Sequence, residues 1–420
     1  MAFKFKPGTW LTPRVKGFAL FLALLGPGII TSNVDNDAGG IATYSMCGAH
    51  FGYKMLWAFV PITVFLIVVQ EMGLRMGVVT GRGLSDLIRE RFGVRITFYL
   101  MLAMLVINLG NTVAEFAGVA ASLGIVGVSK YVAVPVAAAA LWLLVVKWNY
   151  KRVEKLFLVA CVVYVAYVVA GFISRPSWGD VARSVAVPEL SFDGAYVAML
   201  IGLVGTTVAP WMQFYLQAAV VEKGVKISEY HLSRWDVIIG SVAVSVVAFF
   251  IVVVCGATLF PEGIVITDAV DAALALKPLA GEYATFLFGF GLLNASLFAA
   301  SILPLATAFF ISEAFGWEAG VDKKFAEAPG FYSLYTAILA VGALVVLWPG
   351  APLFDIMYWS QVINGVALPV VILFMLILIN DRRLMGRYVN NPFQNIISGV
   401  VAAVLTALSV AMVVISITGS

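Results

Sequence analysis

Charged residues are scarce in this chain: they make up 12% of 420 residues, whereas soluble globular proteins carry about 25%. This scarcity argues against a soluble globule and leaves too few basic residues for a nucleic-acid-binding face. Cysteine is also rare, and Cys47, Cys161 and Cys255 lie too far apart to suggest a disulfide framework or a metal cluster. No nucleophile–base pair or cofactor motif appears, so we expect neither an enzyme nor a bound cofactor.

Apolar residues make up 62% of the chain and its mean hydropathy is +1.00, which indicates an all-α polytopic protein of the lipid bilayer. No stretch between the apolar runs is long enough to bury a core, so residues 1–420 form a single transmembrane domain. The runs of bilayer length predict about eleven spans, at residues 17–48, 53–79, 95–123, 131–147, 153–174, 192–221, 236–260, 283–312, 331–349, 353–380 and 394–418.

Basic residues between the spans predict the topology. With the N-terminus in the cytoplasm, 21 of the 26 Lys and Arg residues fall in cytoplasmic segments, which is a strong positive-inside pattern. An odd number of spans then places Ser420 outside the cell. We expect a multi-pass protein of the plasma membrane, and a monomer.

The most informative residue is Asp37, within Asp37-Ala38-Gly39-Gly40 in the middle of the first apolar run. A carboxylate at that depth costs roughly 2.5–3.5 kcal/mol on insertion scales, and the neighbouring glycines weaken the helix that carries it. Both penalties are tolerable where broken backbone lines a polar cavity. The turn therefore predicts a cation site, with the carbonyl of Val34 as a further ligand. Asp37 could alternatively only cap the second half of the span.

The sixth run is interrupted in the same way. It reads Gly205-Thr206-Thr207-Val208-Ala209-Pro210-Trp211, and Pro210 leaves the carbonyl of Thr206 without a donor four residues on. A simple kink is the plainer alternative. Two broken spans five apart predict inverted repeats around a midplane site. Repeat one would cover about 17–174 and repeat two about 192–380, with an additional helix at about 394–418.

Other polar residues in the spans could belong to this site. Trp211 has one donor and no acceptor, so we expect it to form a cavity wall with Gln213 beside it. Gln361 offers an amide oxygen to the cation, although hydrogen bonding between helices is an equal alternative for such residues. Glu115 could handle protons or be a buried neutral acid. His50 and His231 lie at span edges, so neither is a mid-membrane proton relay.

These residues resemble the NRAMP divalent-metal transporters. Gly26-Pro27-Gly28 opens the first span as in that family, and Asp37 stands where the family carries Asp-Pro-Gly-Asn. The resemblance implies a LeuT-like fold of two inverted five-span repeats, with the metal between spans one and six. Further matches in the same register are Gly52-Tyr53-Lys54, Arg75 to Gly81, Ser360-Gln361-Val362, Asp381 to Gly386 and Asn395-Ile396-Ile397.

Several positions depart from the family. Its metal-binding Asn is Gly40 here, its Met is Ala209, its His is Trp211, and its third-span Asp is Thr112. Gly40 and Ala209 are therefore candidate metal positions that lack the family's ligating side chains. A thioether helps such a site to prefer Mn²⁺ or Fe²⁺, whereas Mg²⁺ prefers oxygen ligands and retained waters.

This pattern resembles the NRAMP-related magnesium transporters of prokaryotes, and it predicts uptake of Mg²⁺, and also Mn²⁺, by alternating access without proton coupling. The alternative is a proton-coupled Mn²⁺/Fe²⁺ symporter, which the retained Glu115 supports. A Na⁺-coupled amino-acid symporter of the same fold is disfavoured, because Asp37 would repel a substrate carboxylate.

Overall fold

The computed structural model describes residues 36–147, 161–320 and 323–418, which form helices joined by short connections. Within these ranges no strand occurs, as the apolar runs predict. The α-helices are α1 Ala38–Phe51, α2 Phe59–Thr80, α3 Leu84–Ile125, α4 Lys130–Lys147, α5 Val165–Ile173, α6 Trp178–Ala186, α7 Gly194–Thr207, α8 Pro210–Glu222, α9 Tyr230–Thr258, α10 Ala269–Ala273, α11 Lys277–Ala280, α12 Ala284–Phe315, α13 Pro329–Val346, α14 Leu353–Ile379, α15 Arg382–Met385 and α16 Pro392–Thr418.

Nine stretches of the described residues are long and apolar enough to cross a membrane. They correspond to the second, third, fourth and sixth to eleventh predicted spans. The predicted spans 17–48 and 153–174 lie partly outside the described residues, and α1 and α5 are their described ends. The prediction of an all-α polytopic membrane protein is therefore confirmed.

The third helix is longer than its predicted span of 95–123. It begins at Leu84, and Gly93 interrupts it with φ 82° and ψ 167°, a conformation that favours glycine. The turns before Gly93 carry Arg89, Glu90 and Arg91, so hydropathy alone did not assign them to the span.

The sixth span is broken where the sequence predicts. α7 ends at Thr207, and α8 begins at Pro210. Val208 (φ −130°, ψ 62°) and Ala209 (φ −66°, ψ 141°) lie between them in non-helical conformations. Proline is well suited to the first position of α8, because the N–H it lacks would have no helical partner there.

The broken span lies at the centre of the molecule. In its apolar window 89% of the residues are buried, against 17% for the last span, α16. α7 packs against α14 and α1, and a Cβ added to Gly205 or to Gly365 would overlap the backbone of the facing helix. Small residues of this kind let membrane helices approach at backbone distance. The two glycines thus bring α14 against the break.

Candidate metal centre

Asp37 is the N-cap of α1. Its backbone is extended (φ −72°, ψ −177°), and its Oδ1 accepts a hydrogen bond of 2.6 Å from the N–H of Gly40. The residue is only 5% exposed. The capping role considered for Asp37 is therefore real, but one hydrogen bond occupies only part of a carboxylate's accepting capacity, so cation binding remains open to it.

Glu115, on α3, lies directly beside this turn. Its Oε2 accepts a hydrogen bond of 3.3 Å from the N–H of Ala38, and its carboxyl group is close enough to interact with that of Asp37. Glu115 is fully buried, and its Oε1 has no hydrogen-bond partner among the described residues. Two buried carboxyl groups in contact repel one another when both are ionised, so a proton or a cation between them stabilises the pair.

Gln361, on α14, covers the other side of the turn. Its side chain packs so closely on Gly39 that a Cβ there would overlap the amide group. Gln361 Oε1 accepts a hydrogen bond of 2.8 Å from Asn364 Nδ2, while Nε2 has no partner among the described residues. The predicted ligand is thus adjacent to Asp37, with its amide oxygen shared with Asn364.

The break in the sixth span faces α1. The Tyr44 hydroxyl on α1 and the Thr207 hydroxyl on α7 are 2.9 Å apart. Thr206 is 2% exposed, and its hydroxyl has no hydrogen-bond partner among the described residues. Pro210 has no N–H to offer the Thr206 carbonyl, so that carbonyl keeps accepting capacity, as predicted.

Other predicted residues of this span are placed as follows. The carbonyl of Ala209 accepts hydrogen bonds from Met212 N (3.2 Å) and Gln213 Nε2 (3.5 Å), so it is partly engaged within α8. Gln213 is fully buried, and its Oε1 has no partner among the described residues. Trp211 is 1% exposed and packs on Tyr215, with ring centroids 5.9 Å apart. Val34 lies outside the described residues.

A chain of buried amides continues from Gln361, and sequence reasoning missed most of it. Asn364 and Asn111 exchange hydrogen bonds of 3.0 and 3.1 Å between α14 and α3. Asn108 lies one turn before Asn111 and donates to the Thr307 hydroxyl at 2.9 Å. The signal was present in the sequence, because Asn108, Asn111 and Glu115 recur at intervals of three and four on one face of a helix.

The carboxyl groups, hydroxyls and amides around the start of α1 and the break between α7 and α8 form an oxygen-rich, buried set of donors. Such ligands suit Mg²⁺ and Mn²⁺. We find no thioether or imidazole at the family's positions, which are Ala209 and Trp211 here. Oxygen donors of this kind are chemically suited to a hard cation.

A protein-family model described as natural resistance-associated macrophage protein-like matches residues 28–415. The chain belongs to the Nramp family. A divalent metal cation transporter MntH from Klebsiella pneumoniae is 25% identical over 412 residues, covering 95% of each chain. The MntH of Clostridium acetobutylicum is 26% identical over 427 residues, covering 97% of this chain and 94% of that one.

Solved structures show the fold. The manganese transporter of Eremococcus coleocola, with a bound bis-isothiourea compound, superimposes with a TM-score of 0.76 at 20% identity, over 97% of this Nramp chain and 90% of that one. A nucleobase-cation-symport-1 transporter gives 0.60 at 13% identity, over 93% and 91%. The LeuT-like fold is therefore confirmed, and the relatives that match are named as metal transporters and not as enzymes. The repeat boundaries stay a prediction.

The proposed cation-binding role of Asp37 can be tested separately from its role as the N-cap of α1. Asn is as good an N-cap as Asp, so Asp37→Asn keeps the turn and removes the charge. We expect it to leave thermal unfolding near wild type while Mn²⁺ uptake into proteoliposomes falls roughly tenfold or more, as loss of about 1.4 kcal/mol of cation binding requires.

The matched control is Asp193→Ala, because Asp193 caps α7 through the N–H groups of Ala195 and Tyr196 and is exposed. That variant should lose about 1 kcal/mol of stability and keep its transport. Normal uptake by Asp37→Asn would show that the carboxylate serves only the fold.

Proposed function

We propose that this Nramp chain takes up divalent cations by alternating access, with the ion held between the broken first and sixth spans. Asp37 supplies the charge, and the carbonyls of Val34 and Thr206 and the amide of Gln361 supply neutral oxygens. Gly40 and Ala209 contribute only backbone groups, and their small size leaves space for the ion. The supporting observation is that Asp37, Glu115 and Gln361 converge on one buried turn.

For the choice of cation, the residues and the relatives favour different ions. The oxygen-only donor set, with Ala209 in place of a thioether, favours Mg²⁺ and tolerates Mn²⁺, as in the NRAMP-related magnesium transporters. The printed names of the relatives, divalent metal cation transporter and manganese transporter, support Mn²⁺ better. We therefore propose that both ions are carried, with the altered side chains lowering the preference for Mn²⁺.

The second question is whether uptake of the cation is coupled to protons. The prediction of uncoupled uptake rested on the peripheral histidines and on Trp211 and Thr112 at positions where the family has titratable groups. The structure adds that the carboxyl groups of Glu115 and Asp37 are neighbours. A proton held by this pair would be displaced when a cation binds, and that step is what a proton-coupled Mn²⁺/Fe²⁺ transporter needs. The contact thus favours the coupled alternative. Uncoupled uptake remains energetically feasible, since a divalent ion gains about 4.6 kcal/mol per 100 mV.

The membrane arrangement completes the proposal. The excess of Lys and Arg on one side of the spans supports a cytoplasmic N-terminus, an extracellular C-terminus and a place in the plasma membrane. We propose a monomer, because a site of this kind lies within one five-plus-five core and needs no residue of a second copy. The same two repeats, about 17–174 and 192–380, would rock around the site.

Selectivity should follow the altered side chains. Restoring the family's residues with Gly40→Asn, Ala209→Met and Trp211→His adds soft and nitrogen ligands and reduces space. We expect the ratio of Mn²⁺ to Mg²⁺ uptake in proteoliposomes to rise by about tenfold, equivalent to 1.4 kcal/mol.

Gly399→Asn is the control, since nothing lies within 4 Å of a Cβ at that position in α16. An unchanged ratio in the triple variant would mean that these three positions do not set the preference.

Coupling can be measured in the same liposomes with an internal pH dye under a potassium-diffusion potential. If the carboxyl pair carries the proton, Mn²⁺ uptake acidifies the interior in proportion to the metal taken up, and Glu115→Gln removes the acidification. We expect this result from the contact between Glu115 and Asp37. Metal uptake at constant internal pH would contradict this expectation and support uptake without proton coupling.

A further inference from the structure

A cleft that shares no lining residue with the candidate metal site lies where α2, α9 and α16 meet. Its volume is about 220 Å³, and Val64, Glu71, Arg234, Asn391, Phe393 and Gln394 are among the residues that line it. Glu71, Arg234 and Gln394 lie toward the ends of these helices that the topology predicts to be cytoplasmic. The cleft is smaller than the roughly 300–1,000 Å³ of sites for drug-sized ligands, so it suits a small headgroup.

The acidic residue in the cleft is already neutralised. Glu71 forms an ion pair of 3.2 Å with Arg75, as the spacing of four residues predicts. The Tyr230 hydroxyl donates to Glu71 Oε1, and Gln394 Nε2 donates to Glu71 Oε2 at 2.9 Å. With both oxygens bound and the charge paired, Glu71 presents little repulsion to an anion.

Arg234 is the uncompensated charge of the cleft. Its side chain is exposed, and it forms no ion pair with any residue that the structure describes. The N-terminus of α16 lies in the same cleft, where Asn391 Oδ1 accepts the N–H of Gln394 at 2.9 Å. A 27-residue helix adds partial positive charge at that end. Both features attract an anion.

The rest of the lining is apolar and open to the membrane. Val64 is 39% exposed and Phe393 is 65% exposed, so both present hydrocarbon surface at the mouth of the cleft. Trp235, next to Arg234 in the chain, is 50% exposed, as is typical of aromatic residues at a membrane–water interface. An acyl chain can pack against such apolar walls, whereas a free inorganic anion gains nothing from contact with them.

We propose that this cleft binds the phosphate of an anionic phospholipid of the cytoplasmic leaflet, with Arg234 on the phosphate and the first acyl methylenes on Val64 and Phe393. Basic pockets between transmembrane helices on that side are suited to anionic headgroups. A lipid seated there would join the second and seventh spans, one from each proposed repeat, to the last span.

The test uses the full-length, delipidated protein. Native mass spectrometry measures its binding of phosphatidylglycerol and of zwitterionic phosphatidylcholine. Phosphatidylglycerol should bind more tightly than phosphatidylcholine. Arg234→Gln should weaken its binding about fivefold, while Arg382→Gln, an equal charge change at an exposed arginine outside the cleft, should leave it unchanged. Uptake of Mn²⁺ by both variants reports that they are folded.

Three outcomes would overturn the proposal. Equal weakening by both variants would indicate general surface attraction, equal affinity for the two lipids would remove the role of charge, and displacement of the lipid by millimolar inorganic phosphate would indicate a simple anion site. If Arg234→Gln does not fold, Phe393→Gln at the exposed wall serves instead, with weakened phosphatidylglycerol binding expected and unchanged binding contradicting the proposal.

Discussion

A buried carboxylate at the start of a central helix is the constraint around which this Nramp chain is arranged. An unpaired charge at the centre of a membrane helix costs roughly 2.5–3.5 kcal/mol on insertion scales, and three contacts around Asp37 offset such a cost. The residue caps α1, its neighbour Glu115 can share a proton or a cation with it, and Gln361 closes the turn from the opposite side. Each of these contacts depends on a helix from a different part of the chain.

Close packing of backbones makes those contacts possible. Gly39 admits the Gln361 side chain, and Gly205 and Gly365 let α7 and α14 approach until no Cβ fits between them. The hydrogen bond between Tyr44 and Thr207 then ties α1 to the end of α7. Because these contacts support one another, the fold itself holds the oxygen atoms at the start of α1 and the end of α7, and such an arrangement lowers the ordering cost of binding an ion.

Nine of the spans and the break in the sixth could be predicted from sequence, because hydropathy, glycine and proline act locally. α7 ends and α8 begins within two residues of the predicted interruption, and Asp37 lies at the start of α1. Side-chain partners could not be predicted in the same way. The exchange between Asn111 and Asn364 joins residues far apart in the chain, as does the approach of Glu115 to Asp37, and both depend on how α3 and α14 pack. Cation choice is harder still, because similar oxygen ligands serve Mg²⁺ and Mn²⁺.

The central claim is that Asp37 binds the transported ion at the N-terminal end of α1. Anomalous diffraction from crystals of the protein grown with Mn²⁺ tests it most directly, because the signal locates the metal without any assumption about ligands. The account predicts a peak within bonding distance of the Asp37 carboxylate, close to Gln361 and the end of α7. A peak elsewhere in the membrane core, with Asp37 still bonded only to Gly40, would contradict it.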